Sequence, residues 1–441
     1  MSATFRSLRI PNYRIWAGGA LVSNVGTWMQ RVAQDWLVLQ VLTAGSGVAV
    51  GITTGLQFLP MLLLGPYAGL VADRLDKRRL LMWTQGLSGL WGLVLGLLVV
   101  TDSAQLWHVY ALATLLGLTT AFDAPARQTF VAALVPPDHL GNAVGLNSAS
   151  FNGARLVGPG VAGLLIAAFG TGPVFLINAV SFAGTVVALA FLRVDQLHPM
   201  PVAKRGRGQV REGLRYVRGR PDITVILVVI GTVGALGMNY QLTTGLVATQ
   251  VFGKGATEYG ILGSILAIGS LSGALLAARR ERPRLRLVFG AAGLFGVASL
   301  VAASMPTYTS FAISLIPVGL CSLTMMTAAN TYVQSTTDPS MRGRVMALYM
   351  MIFMGTTPIG SPVIGLVGDV FGARWTIYVG GISAVLVVLG AVLWVLRRDD
   401  LRIRYSWRQQ PHLQVLDADE REAAREALDA AGGRATTRTA A

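Results

Sequence analysis

Charge-free runs of membrane length, paired around short basic turns, constrain this chain more than any other feature. Gly47 to Ala72 passes 26 residues without a formal charge, and Leu80 to Thr101 passes another 22. Between them Asp73, Arg74, Asp76, Lys77, Arg78 and Arg79 place six charges within seven positions. An α-helix rises about 1.5 Å per residue and needs about 20 apolar residues to cross a bilayer. The segment therefore reads as a membrane hairpin with its turn at the water interface.

The pattern recurs along the chain. Twelve spans are expected, at 14–42, 47–72, 80–101, 106–123, 141–168, 172–192, 223–246, 257–278, 286–304, 308–331, 343–370 and 375–396. Only 13% of residues are charged, mean hydropathy is +0.57 and there are 52 glycines. A soluble domain carries about 25% charge, and glycine is frequent where membrane helices touch. The fold class expected is an all-α membrane protein. The net charge of +15 would suit nucleic acid, but no extended basic helix or stacking platform supports that partner. Cys321 is the single cysteine, so neither a disulfide framework nor Cys/His metal spacing is present. Met1 to Arg14 is short and polar, so no cleavable signal segment is expected.

Lysine and arginine placement orients the spans. With the N-terminus inside, 32 of the 36 basic residues fall on cytoplasmic segments. Lys254 and Arg374 fall outside, and Arg31 and Arg155 lie within spans. The positive-inside rule then places both termini in the cytoplasm and the protein in the plasma membrane. A basic linker over 193–221 divides the chain into one bundle at 1–192 and another at 222–398, and Gly208 to Arg218 reads as an amphipathic surface helix. The linker's charges suit lipid headgroups. In the tail at 399–441, Asp417 to Gly432 has helix-forming composition and the end is expected to be disordered.

The halves repeat each other. At a constant offset of 202, Gly141, Gly153, Gly158 and Gly163 fall on Gly343, Gly355, Gly360 and Gly365. Four glycines in register argue for duplication, and duplicated six-span halves are the footprint of a transporter with its site between them.

Four stretches resemble a known family. Gly69-x-x-Ala-Asp73-Arg74-x-x-Lys77-Arg78 resembles the loop 2–3 signature of the major facilitator superfamily. Gly153-Ala-Arg-Leu-Val-Gly158-Pro159-Gly160-x-x-Gly163 resembles the fifth-helix motif of its antiporters. Phe122 to Gln128 and Trp28 to Trp36 are similar to the enterobactin-exporter-like branch of drug and siderophore efflux proteins. The resemblance implies two pseudo-symmetric six-helix bundles working by alternating access, with the fifth helix packed on the other half. It also implies a conformational latch, in which Asp73, supported by Gly69, Arg74 and Arg78, meets the start of span 11 at Arg344. Asp76 stands where the family usually has glycine.

Residues within the spans supply the chemistry. Arg31 and Asp35 are four apart on one helix face and can pair. Asp35 is the expected proton carrier, against the alternatives of a static pair or of a position too near the outer surface to matter. Arg155 lies deep in span 5 and is permanently charged; it can hold an acidic substrate or brace the Pro159 break. Gln34, Gln57, Asn147, Asn239, Gln241 and Asn330 are expected to line the substrate cavity. Trp28, Trp36, Tyr240 and the methionines at 350, 351 and 354 suit a bulky amphipathic molecule. The GxGxxG match at Gly158 lies inside an apolar helix, not after a strand, so it is not a dinucleotide site. No Walker A, HExxH or GxSxG sequence is present, so neither an enzyme nor a cofactor is expected. The function expected is proton-coupled export of small amphipathic molecules by a monomer, with import or a non-transporting sensor as alternatives.

Overall fold

A computed structural model describes residues 3–198, 209–278, 285–398, 402–405 and 413–416. Six helices precede the linker: α1 (Pro11–Trp36), α2 (Gly47–Arg74), α3 (Lys77–Val100), α4 (Leu106–Ala133), α5 (Leu140–Phe169) and α6 (Thr171–Ala190). The linker holds α7 (Gln209–Arg218). Next come α8 (Pro221–Thr232), α9 (Tyr240–Leu246), α10 (Ala256–Ala278), α11 (Leu285–Ala303) and α12 (Tyr308–Thr336). The series ends with α13 (Arg342–Gly355), α14 (Thr357–Phe371) and α15 (Ala373–Arg398). Lipid offers no hydrogen bonds to backbone, so a spanning chain must satisfy its own amides, and helices do that.

Local signals set the helix ends. Ser46 Oγ accepts from Ala49 N at 3.2 Å to start α2. Asp76, at the position where the family has glycine, caps α3 by accepting from Arg79 N at 2.8 Å. Gly170, at φ +78°, makes the tight turn from α5 to α6.

Eleven segments among the described residues are long and apolar enough to cross a membrane. The twelfth is α1, which continues through a widened turn to Leu42 and carries Arg14, Arg31 and Asp35. α8 and α9 share one span, as do α13 and α14. These make two pseudo-symmetric six-span bundles. The observed limits match expectation closely except in span 4. That span was expected to end at 123, but α4 runs on to Ala133 with Pro125 inside it. A proline removes one helical bond and can be tolerated in a membrane helix, and an Asp123–Arg127 ion pair spans the site at 2.9 Å.

The linker helix α7 forms as its amphipathic pattern predicts. Val217 is buried, and Gly213 backs onto Leu348 and Arg344 of α13. Arg220 then ties α7 to α8 and α12, donating to both Asp222 oxygens at 3.1 and 2.9 Å and to the Thr336 carbonyl at 2.9 Å. Hydrogen bonding to Asp222 holds the Arg220 guanidinium above its ordinary pKa. Beyond the last helix, β1 (Arg402–Tyr405) and β2 (Leu413–Leu416) pair antiparallel with Arg402 opposite Leu416, strands that the polar tail did not announce. The helix expected over Asp417 to Gly432 and the disordered end lie outside the described residues.

Within the first six spans α1 packs on α5 and α6, α2 on α4, and α3 on α4 and α6. In the second set α12 lies between α10 and α11. Two extended contacts cross between the sets, α2 along α13 and α14 and α5 along α10, with smaller ones from α1 and α2 to α9. The membrane side bearing Arg74, Lys77 and α7 is called the basic side below, and the opposite one the far side.

Glycines at the far side make both crossings close. A Cβ on Gly47 would lie 2.8 Å from the Gly365 carbonyl, and one on Gly163 would lie 2.6 Å from the Ala256 carbonyl. Gly260 faces the Pro159 carbonyl just as closely. Toward the basic side the picture reverses: a Cβ on Gly141, Gly145, Gly153 or Gly343 would meet nothing within 4 Å. The halves touch at the far side and part toward the basic side. Gly163→Leu should therefore cost about 1–3 kcal/mol by overpacking, whereas Gly184→Leu, into open space, should be neutral. Thermal unfolding in detergent distinguishes them; equal melting temperatures would contradict the close contact.

Candidate functional site

A polar cavity of about 410 Å³ lies among the first six spans. Its wall includes Asn24, Gln30, Arg31 and Gln34 from α1, Gln57 from α2, and Gln85 from α3. α4 adds Asp123 and Arg127, α5 adds Asn147, Phe151 and Asn152, and α6 adds Asn178. Amides and charges are costly at membrane depth and are found facing a bundle interior or a water-filled cavity, which makes such a wall a functional candidate.

Of the residues expected to line the cavity, Gln34, Gln57 and Asn147 do so together with Arg31. Gln34 Nε2 donates to Gln57 Oε1 at 3.2 Å, joining α1 to α2. Asn239, Gln241, Asn330 and Arg155 are not part of this wall. Asn239 donates within its own span, to the Ala235 carbonyl 2.7 Å away. Asn330 accepts from Gln334 at 2.7 Å, and the Gln241 carbonyl accepts from Tyr259 at 3.2 Å.

Asp123 and Arg127 are the pair that sequence reasoning missed. The Asp123 carboxylate is buried. Thr84 Oγ1 and Gln85 Nε2 each donate to its Oδ1 at 2.7 Å, and Arg127 Nε donates to Oδ2 at 2.9 Å. Asp123 and Arg127 thus satisfy each other. The available signal was the i,i+4 spacing of acid and base, which only counts once the helix is known to continue through Pro125.

Arg31 and Asp35 do not form the direct pair expected of them; no ion pair joins them among the described residues. Helical side chains lean back toward the N-terminus, and Arg31 accordingly covers Trp28, three residues earlier, with its guanidinium carbon 4.9 Å from the ring centre and 5.7 Å from that of Phe58. Arg155 lies over the same indole at 5.6 Å. Asp35 is buried toward the far side and accepts from Tyr259 Oη of α10 at 3.3 Å. Trp36 stacks on that tyrosine, with centroids 6.0 Å apart. Asp35 thus belongs to the contact between halves, not to the cavity wall.

The expected latch residues are distributed differently. Arg74 is exposed, and the side chain of Asp73 lies outside the described residues. Arg78 donates to the Leu189 and Ala190 carbonyls at 2.7 and 3.0 Å, closing the end of α6 within its own half. Arg344 pairs with Glu212 of the linker helix at 3.1 Å. Gly69 stands one turn before Asp73 on α2. In the fifth-helix motif, Gly158 backs onto Trp28, and Pro159, Gly160 and Gly163 face α10 of the other half, as expected; Gly153 faces open space.

Arg127→Gln should leave Asp123 buried without its counter-ion, at a cost of about 3 kcal/mol, the low end for a buried pair. The double variant Asp123→Asn/Arg127→Gln should recover most of that. Chemical or thermal unfolding in detergent measures both, and additive losses would show that the pair is not coupled.

Comparison with known proteins gives a consistent result. A family model described as transmembrane secretion effector matches residues 2–421. The staphyloferrin A transporter of Staphylococcus aureus (strain NCTC 8325 / PS 47) is 26% identical, over 83% of this chain and 91% of its own. The multidrug efflux pump Tap of Mycolicibacterium fortuitum is 28% identical, over 86% of this chain and 94% of its own. Macrolide efflux protein A of Streptococcus pyogenes is 21% identical, over 90% of this chain and 99% of its own. Among solved structures, a bacterial homolog of the human lysosomal transporter Spinster, inward-facing and unoccupied, superposes with a TM-score of 0.67 at 14% identity, covering 87% of this chain and 95% of that one. That likeness concerns the fold alone.

Proposed function

Because the chain belongs to the transmembrane secretion effector family of the major facilitator superfamily, we propose that it is a secondary active exporter, moving small amphipathic molecules out of the cell by alternating access. The observation that carries this reading is a polar cavity at membrane depth in a molecule whose halves are in close contact at the far side. If the basic side is cytoplasmic, as lysine and arginine placement requires, the conformation described is the one that loads from inside. Relatives named for siderophore, multidrug and macrolide transport support the outward direction and the size of the cargo.

The wall chemistry narrows the cargo. Amides from six helices supply donors and acceptors, Phe151 supplies an apolar face, and Arg31 supplies a cation with no carboxylate at ion-pair distance among the described residues. Such a wall suits a molecule combining hydrogen-bonding or acidic groups with an apolar body. Guanidinium binds carboxylates in a bidentate fork, so an acidic group on the cargo would seat on Arg31.

Asp35 carries the coupling proton in this scheme. It is a buried carboxylate on the contact between halves, where a change of charge bears on opening. Efflux of a compound panel from cells, with and without a protonophore, tests the function: net extrusion that collapses with the protonophore is expected, and accumulation driven by the protein would overturn the direction. Asp35→Asn should retain folding and membrane insertion while losing pH-gradient-driven transport. Wild-type pH dependence in that variant would remove Asp35 from the coupling role.

A further inference from the structure

The tightest polar contact between the halves is made by a residue that the site does not use. Asp369, near the far end of α14, accepts from Gly47 N at 2.6 Å through Oδ1, and from Val48 N and Ser46 Oγ at 3.0 Å through Oδ2. These donors are the N-cap and first turn of α2, where unpaired amides and the helix dipole favour a carboxylate. One turn before it, Gly365 lets the two backbones touch, and Ser361 Oγ donates to the Gly51 carbonyl at 3.0 Å. Toward the middle of the pair, Leu62 covers Gly355.

The sequence around Asp369 also occurs elsewhere in the chain. Gly365-Leu-Val-Gly-Asp369 ends α14, and Gly69-Leu-Val-Ala-Asp73 ends α2. The two helices run antiparallel against each other: Asp369 lies beside the first turn of α2 at the far side, and the second pentapeptide ends α2 at the basic side. The α13 start, at Arg342, lies on that same basic side. The second crossing pair lacks this device. The 202-residue offset that lays Gly163 on Gly365 puts Ala167 where Asp369 stands. There Gly163 meets the α10 start as Gly365 meets the α2 start, but no acid follows it.

We propose that Asp369 is the carboxylate clasp holding the far side shut while the cavity faces the basic side, the counterpart of the Asp73 latch that the family resemblance implies at the basic side. The antiparallel pair is then a two-ended latch pivoting near Leu62 and Gly355. Rocking the halves breaks one clasp as it makes the other. The inference rests on the alternating-access reading, and the test below reads conformation without transport, so the two can fail separately.

In a Cys321→Ser background, Ala248→Cys reports the far side, where that residue is fully buried, and Ser148→Cys reports the cavity wall. Labelling with a membrane-impermeant maleimide, from the far side in cells and from the basic side in inverted vesicles, follows both. Asp369→Asn should raise Ala248→Cys labelling about five- to thirtyfold, the population shift for 1–2 kcal/mol, and lower Ser148→Cys labelling. Asp73→Asn should do the reverse, and the double variant should return toward the wild type. Ala167→Asp, at an exposed position, should rebuild a clasp on α5 and α10 and restore far-side protection to Asp369→Asn. Opposite signs and second-site rescue do not arise from loss of folding. Unchanged labelling in Asp369→Asn, or shifts of the same sign in both single variants, would overturn the proposal. If Asp369→Asn does not reach the membrane, Ala167→Asp alone decides: it must lower far-side labelling in the otherwise unaltered chain, and no change there refutes the clasp.

Discussion

Backbone-to-backbone contact between helices at the far side governs the rest of this structure. Lipid gives little hydrophobic drive for helices to associate, so packing must come from close approach, and close approach needs residues without side chains. Gly47, Gly51 and Gly365 on one crossing, and Gly163 and Gly260 on the other, meet that requirement at the same membrane level. The glycines of α5 nearer the basic side have no such neighbour. One sequence device is thus used where halves touch and stands idle where they part.

The cavity follows from how charge is accommodated at depth. Each intramembrane arginine costs about 2.5–3.5 kcal/mol on insertion scales, and a desolvated cation over an indole recovers about 2 kcal/mol. Trp28 serves both Arg31 and Arg155, from opposite elements. The shared indole offsets part of that cost for both guanidiniums, and Arg31, with no carboxylate at ion-pair distance among the described residues, stays available at the cavity wall. Asp123 is treated differently: three donors and a counter-ion satisfy it. It is suited to hold α3 and α4 in register and poorly suited to exchange partners during a cycle.

Much of this was legible in the sequence. Twelve spans, a linker helix and duplicated halves follow from charge-free length, amphipathic period and glycine register. Span 4 was not legible past 123, because a proline flanked by an acid and a base has the composition of a turn. The helix survives there through an ion pair and tertiary packing that composition cannot report. The Arg31–Asp35 pair failed for a related reason. Spacing shows that two residues share a face, but two aromatic rings competed for the arginine and a tyrosine on the other half took the acid. Asp76 shows the converse. A departure from the family pattern is a helix cap in this chain, so the exposed turn keeps its geometry without the glycine.

A transporter also limits how strong its latches can be. Moving a two-state equilibrium from 1:99 to 99:1 takes about 5.5 kcal/mol, so clasps of that size, acting unequally, would trap the molecule on one side. A charge near a helix end contributes about 0.3–2 kcal/mol, which biases the equilibrium without freezing it. Acids on both crossing pairs would double the hold on the far side and require a matching pair opposite. The chain instead places an acid on α2 and α14 and alanine at position 167 of the duplicated crossing. The duplication supplied two crossings, and glycine contact is kept on both. Of the two far-end positions related by the 202-residue offset only Asp369 is acidic, so a carboxylate at the end of the crossing helix belongs to one pair alone.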